Sequence, residues 1–231
     1  DGVRVDALAH LIKDRQFRDN PKNLGYADDQ EPSNVLKQIF SQNQPEILDL
    51  IGDFRKVIDD FPGRLFMGEA YQVPEQIAAY QRAGAHVLLN TYMLQGDFEA
   101  VALRNAIDQA EALTPKTGWP SHSAGNHDIP RLAARVGESN LRLAALLQFT
   151  VRGTATMYYG DELGLQPMEL SEDKMRDPSG RDNPRYSRDH SRSPMPWKHG
   201  PGNGFTGGDS WLPIDEMTSR LNVDNQRRSE E

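Results

Sequence analysis

Five side chains in three short stretches of this sequence could do chemistry together. Arg4 and Asp6 stand in "DGVRVDALAHL" (1–11), Glu69 in "FMGEAY" (66–71), and His127 with Asp128 in "AGNHDIPR" (124–131). In an extended strand the side chains alternate between faces, so Arg4 and Asp6 share one face while Val3 and Val5 share the other. A guanidinium beside a carboxylate holds it ionised and oriented through a charge-assisted hydrogen bond. Acids in this company suit glycoside chemistry. A retaining glycosidase needs one carboxylate as nucleophile and a second carboxyl group that first protonates the leaving oxygen and later activates water, the two lying roughly 5 Å apart. Asp6 and Glu69 are the candidates for that pair. Asp128, with His127 adjacent, suits a third role, hydrogen-bonding sugar hydroxyls while positive charge develops on the ring.

These residues must be positioned by the elements between them, and the pattern predicts an alternation. Val3–Ala7 reads as a strand, and a polar stretch rich in Pro, Asn and Asp runs from Arg15 to Asn34. A helix beginning near Pro45 then carries Ile47, Leu48, Leu50, Ile51, Phe54, Val57 and Ile58 at helical spacing and closes at "DDFPGR". "RLFMGEA" (64–70) is a second strand, and "VPEQIAAYQRAG" (73–84) a helix with proline at its start and glycine at its end. Strands at 85–93, 121–128 and 155–160 alternate with helices at 97–113 and 140–151. The order βαβαβαβαβ places the chain in the α/β class, with a parallel sheet covered by helices. No glycine-rich phosphate turn follows the first strand, which argues against a cofactor-binding open sheet. Asp6, Glu69 and Asp128 at the carboxyl ends of three different strands fit a barrel instead, where chemistry gathers on that rim.

At 231 residues and 37% hydrophobic content, the chain can bury a sizeable core. A formal charge of −8, without a basic cluster, argues against nucleic acid or an anionic membrane as the main partner. No apolar run approaches the ~18 residues of a spanning helix. The absence of cysteine excludes a disulfide scaffold and thiol chemistry and leaves the compartment open. The spacing of His86, His122, His190 and His199 suits no metal. His10 reads as structural, and of the neighbours Asp161 and Glu162 at most one can face a site.

"DGVRVDALAHL", "FMGEAY" and "AGNHDIPRLAARVG", in this order, resemble three signature regions of the α-amylase family, glycoside hydrolase family thirteen. "TATMYYGDELGL" (154–165) and "SRDHSRSPMPW" (187–197) resemble the strand-eight and following-loop signatures of its α-glucosidase and oligo-1,6-glucosidase-like branch, with "GFTGGDSWLPI" and "LNVDNQ" in support. The resemblance implies an exo-acting α-glucosidase without an organic cofactor, acting on a small α-glucoside or oligosaccharide. It makes Asp6 the nucleophile, Glu69 the general acid/base and Asp128 the transition-state stabiliser. Arg4 and His127 would line the subsite of the terminal glucose, and Arg188 would cap it. Ala7, after the nucleophile, is associated in this branch with α-1,4 substrates, and valine there with α-1,6. The same signatures serve transglycosylating relatives, such as trehalose- or sucrose-isomerising enzymes, and some homologues of the fold have lost catalysis; these readings stay open.

The family's first signature, an Asp…Asn-His segment on strand three, has no counterpart, and neither has the small domain inserted after that strand. The resemblance therefore implies that residues 1–231 are the C-terminal part of a (β/α)8 TIM barrel, about strands four to eight, without its N-terminal half and the C-terminal β-sandwich. Such a piece is expected to be inactive alone. The long loop after strand eight, 166–213, is expected to be a functional lid or disordered, with Trp197 and Trp211 pinning it to the barrel rather than stacking on sugars.

Overall fold

The computed structural model describes residues 2–27, 32–89, 98–181, 183–214 and 221–229. The strands are β1 (Gly2–Val5), β2 (Leu65–Gly68), β3 (Val87–Leu88), β4 (Ser121–Ser123) and β5 (Thr154–Thr156). The helices are α1 (Ile47–Asp59), α2 (Pro74–Ala83), α3 (Ala100–Leu113), α4 (Leu132–Val136), α5 (Leu141–Thr150) and α6 (Val223–Ser229). The expected alternation is present, with the short α4 and α6 added to it. Asn90–Met93 of the third expected strand and Asp97 of the helix after it lie outside the described residues, as do 28–31 of the polar stretch. Chain contacts divide the molecule into two compact units: Asp1–Thr91, Val101–His122 and Arg152–Thr154 form the first, and Tyr92–Ala100, Ser123–Val151 and Ala155–Glu231 the second.

In the first unit β1, β2 and β3 form a parallel sheet in that order. Parallel neighbours need a long crossover, and α1 and α2 provide it. Ile47, Leu50, Ile51, Phe54 and Ile58 recur at the spacing of one helix face, and that face of α1 packs with Leu8, Phe66, Tyr80 and Leu88. Burial of each large aliphatic side chain in such a cluster contributes about 1.5–3 kcal/mol. α2 starts with Pro74 at a position where its missing N–H costs nothing, and Gly84 closes it. The sheet direction continues past β3 through a parallel bridge from Val87 to Trp119. β4 and β5 pair as a two-stranded sheet.

The register of β1 on β2 sets the site. Val5 stands opposite Gly68, so the residues that follow, Asp6 and Glu69, leave neighbouring strands at the same level. The Glu69 N–H donates to Val5 O, and the Leu8 N–H donates to Glu69 O, both at 2.9 Å. β1 is shorter than the sequence suggests because Ala7 turns left-handed, at φ 45°, into a 3-10 turn over Leu8–His10 that buries Leu8 and Ala9. His10 ends that turn as a structural residue, and burial, helped by Lys13, pushes its pKa down.

The second unit holds α4, α5, α6 and the long loop. A cluster of Leu163, Leu165 and Met195, with Leu221 and Val223 against it, ties the loop to the start of α6. Short 3-10 turns, among them Glu172–Lys174, Pro178–Gly180, Pro184–Tyr186 and Asp189–Ser191, give the loop regular backbone hydrogen bonding. One G-x-G-x-x-G spacing does occur, at Gly202–Gly207, but it follows no strand and forms part of this loop.

Gly68 is required by close approach: a Cβ there would lie 2.5 Å from Leu88 Cδ2 and 2.7 Å from Leu8 Cδ2. Gly68→Ala is expected to cost about 1–3 kcal/mol by overpacking. Calorimetry of the variant would read this as a lowered unfolding midpoint, and an unchanged midpoint would mean that both leucines yield freely.

Candidate active site

In the first unit the structure brings Arg4, Asp6 and Glu69 together. Arg4 Nη2 lies 3.0 Å from Asp6 Oδ1, the ion pair that their shared strand face predicts. The same nitrogen also pairs with Glu69 Oε2, a contact the sequence pattern does not suggest. One guanidinium nitrogen thus contacts both acids and keeps those two carboxylate oxygens close to each other. Their settings differ: the Asp6 side chain is 72% exposed and that of Glu69 only 6%. Tyr71 OH stands 3.4 Å from the other Glu69 oxygen.

In the second unit the structure brings His127, Asp128 and Arg188 together. Asp128 corrects the sequence expectation, because β4 ends at Ser123 and the acid stands five residues farther on, in a turn. The turn is held by side chains from elsewhere in the unit. Asp128 Oδ1 receives Arg188 Nη1 at 3.1 Å and Arg192 Nη2 at 3.1 Å, and His127 Nε2 lies 3.4 Å away. Arg192 Nε donates to His127 O at 2.9 Å, Ser191 Oγ to Ile129 O at 2.8 Å, and the Asp128 N–H to Asn126 Oδ1 at 3.0 Å.

Arg188 is fixed from its far side. Its Nε and Nη2 form a fork on the two oxygens of Asp177, each at 2.7 Å. Asp177 has a fully buried side chain and also accepts the backbone N–H groups of Arg188 and Ser179. The Arg188 guanidinium, bonded to it in this way, holds the Asp177 carboxyl well below the usual carboxylate range. A second buried acid, Asp189, accepts the N–H groups of Arg176 and Asp177. Trp197 and Trp211, expected to pin the loop, are instead largely open to solvent. They are 49% and 70% exposed and, with Tyr159, Glu162, Arg192 and Phe205, line an open cleft of about 460 Å³.

Arg192 and Asp177 are the site residues that sequence reasoning passes over. Arg192 is the second arginine of "SRDHSR", so its type and spacing were in view. The partnership of Asp177 with Arg188 spans 11 residues of loop and has no periodic signal.

A family profile described as "Alpha amylase, catalytic domain" matches residues 1–231. The chain belongs to the α-amylase family. Curated relatives include an alpha-glucosidase of Apis mellifera, 29% identical over 99% of this chain and 42% of that protein, and Maltase 1 of Drosophila virilis, 32% identical over 99% of this chain and 39% of that one. Among solved structures, the alpha-glucosyl transfer enzyme XgtA superposes with a TM-score of 0.88 at 31% identity, over 99% of this chain and 45% of that one. The trehalose-6-phosphate hydrolase of Bacillus licheniformis shares the fold, with a TM-score of 0.79 at 20% identity. The chain thus spans about two fifths of the relatives it matches, and its architecture is part of the family's barrel domain.

The Asp177–Arg188 fork has a pH signature. Its folded-state pKa lies below the unfolded value of about 3.9, so the unfolded chain takes up the proton first on acidification. Its contribution is complete above about pH 4 and lost progressively below it. Asp177→Asn is expected to cost roughly 2 kcal/mol at neutral pH and to flatten the fall of the unfolding midpoint below pH 4. Unfolding curves of both forms between pH 7 and 3 check this, and parallel slopes would refute it.

Proposed function

We propose that the parent enzyme is a retaining, exo-acting α-glucosidase that removes terminal glucose from short α-linked, chiefly α-1,4-linked, oligosaccharides. The observation that carries this reading is the single nitrogen of Arg4 spanning Asp6 and Glu69. A cation shared by both acids brings them close together, which supports reading them as a retaining pair. The names of the Apis and Drosophila relatives support the substrate class.

Asp6, open to solvent and oriented by Arg4, attacks the anomeric carbon. Glu69 gives its proton to the glycosidic oxygen as that bond breaks, leaving a glucosyl ester on Asp6. It then takes a proton from the water that attacks the anomeric carbon, so glucose leaves with its configuration retained and both acids regain their starting states. Asp128, held by two arginines, hydrogen-bonds ring hydroxyls and stabilises the positive charge of the transition state. Arg4 and His127 line the terminal-glucose subsite, and Arg188 caps it to exclude longer non-reducing ends. The chain is read as about strands four to eight of the barrel. These 231 residues alone, two fifths of the relatives' length, are expected to release no glucose from maltose.

A second reading is glucosyl transfer, favoured by the similarity to XgtA, named an alpha-glucosyl transfer enzyme. It shares every step until the ester on Asp6 is attacked by a sugar hydroxyl instead of water.

The test uses the full-length parent, wild type and Asp6→Asn, on maltose, isomaltose and sucrose with products resolved by chromatography. Wild type is expected to release glucose from maltose, and the variant to lose at least about a thousandfold in kcat. Transfer products dominating at millimolar sugar would favour the second reading. Retention of activity by Asp6→Asn would sink the mechanism, and exclusive cleavage of isomaltose would overturn the α-1,4 preference.

A further inference from the structure

Asp161 lies just past β5 and is half-buried against the 124–131 turn. A Cβ built on Gly125 would lie 2.0 Å from Asp161 Oδ2, so the turn's backbone sits on this carboxylate with no room for a side chain. The Leu132 N–H donates to Asp161 at the other end of the turn. Two arginines flank the acid. Arg131 is 1% exposed, its guanidinium stacked 4.8 Å from the Tyr158 ring and 4.7 Å from that of Tyr159, and its Nη1 donates to Tyr159 O. Arg135 donates from Nε to Pro130 O at 3.1 Å and from Nη2 to Ala124 O, closing both ends of the turn. Tyr158 lies 6.5 Å from the His127 ring and donates to Ser191 O, and Ser191 in turn holds Ile129 O.

We propose that Asp161 is a positioning residue for Asp128: with Arg131 and Arg135 it forms a partly buried charge cluster against the 124–131 turn that sets where Asp128 stands. The inference rests on the reading of Asp128 as a site residue, and it assigns work to an acid that the chemistry itself does not use. Three polar atoms of the cluster, Arg131 Nε, Arg131 Nη2 and Asp161 Oδ1, are buried without a hydrogen-bond partner among the described residues. An unmatched buried group of this kind carries a desolvation cost that the fold tolerates where it serves the site. Arg131 and Arg135 both act electrostatically on Asp161, so its charge matters to the turn they hold. The groups facing it are Arg131, Arg135 and Glu162, and burial outweighs the arginines in pushing its pKa up to about 6.

Arg188 and Arg192 hold the same turn through Asp128 and His127 O. The cluster adds contacts at Gly125, Ala124, Pro130 and Leu132. Asp161 therefore acts through Gly125 and the arginines, at no point reaching a sugar.

The full-length parent carrying Asp161→Asn, an isosteric change, and separately Gly125→Ala, which presses on the same carboxylate from the other side, tests this. For variants with wild-type folded fraction, crystal structures should show the Asp128 carboxylate out of contact with Arg188 or Arg192. On maltose, kcat should fall about 10- to 100-fold while KM changes by less than about threefold. Both variants keeping Asp128 in its wild-type contacts, or keeping wild-type kcat, would overturn the proposal. If wild type cleaves no α-glucoside, the functional reading falls, and the crystal comparison still decides whether Asp161 positions Asp128.

Discussion

Parallel pairing of β1 on β2, with Val5 opposite Gly68, is the constraint from which the first unit follows. Parallel strands cannot be joined by a tight turn, so the chain between them must cross over, and the crossover must bury an apolar face on the sheet. The stripe of α1 from Ile47 to Ile58 meets that demand. The same pairing puts both carboxyl ends on one edge, which is why Asp6 and Glu69 share a single arginine although 63 residues separate them in the chain. Gly68 and Leu8 fit against each other just beneath that edge, so the packing of the core and the level of the two acids are one fact.

Charge organises the long loop of the second unit. Asp177 and Asp189, both buried, gather backbone N–H groups of the loop, and Asp177 passes its orientation to Arg188 and so to Asp128. Carboxylates accepting several N–H bonds can organise a long irregular segment because each unmatched donor would otherwise cost more than the acid does. Asp128 consequently stands against two arginines, and Asp6 and Glu69 share Arg4.

Much of this was legible in the sequence where a period or a terminus signal existed. "RLFMGEA", the α1 stripe and the Pro74-to-Gly84 helix are found where apolar spacing puts them, and the pairing of Arg4 with Asp6 follows from the alternation of strand faces. β4 was harder to delimit because its residues are polar and buried: His122, 1% exposed, is satisfied by the backbone of Arg152 at 2.8 Å, a partner 30 residues away. With no apolar pattern to end, the strand gave no hint that Asp128 lay beyond it. The contact of Arg4 with Glu69, the fork on Asp177 and the exposure of Trp197 and Trp211 depend on neighbours set by tertiary structure.

The left-handed backbone at Ala7 reaches beyond geometry. For an L-residue that conformation costs roughly 1–2 kcal/mol, and a β-branched side chain finds it harder still. Valine in place of Ala7 would add to that strain just where the chain leaves β1 for the Leu8–His10 turn, so the small side chain here is a condition for the backbone path that follows Asp6.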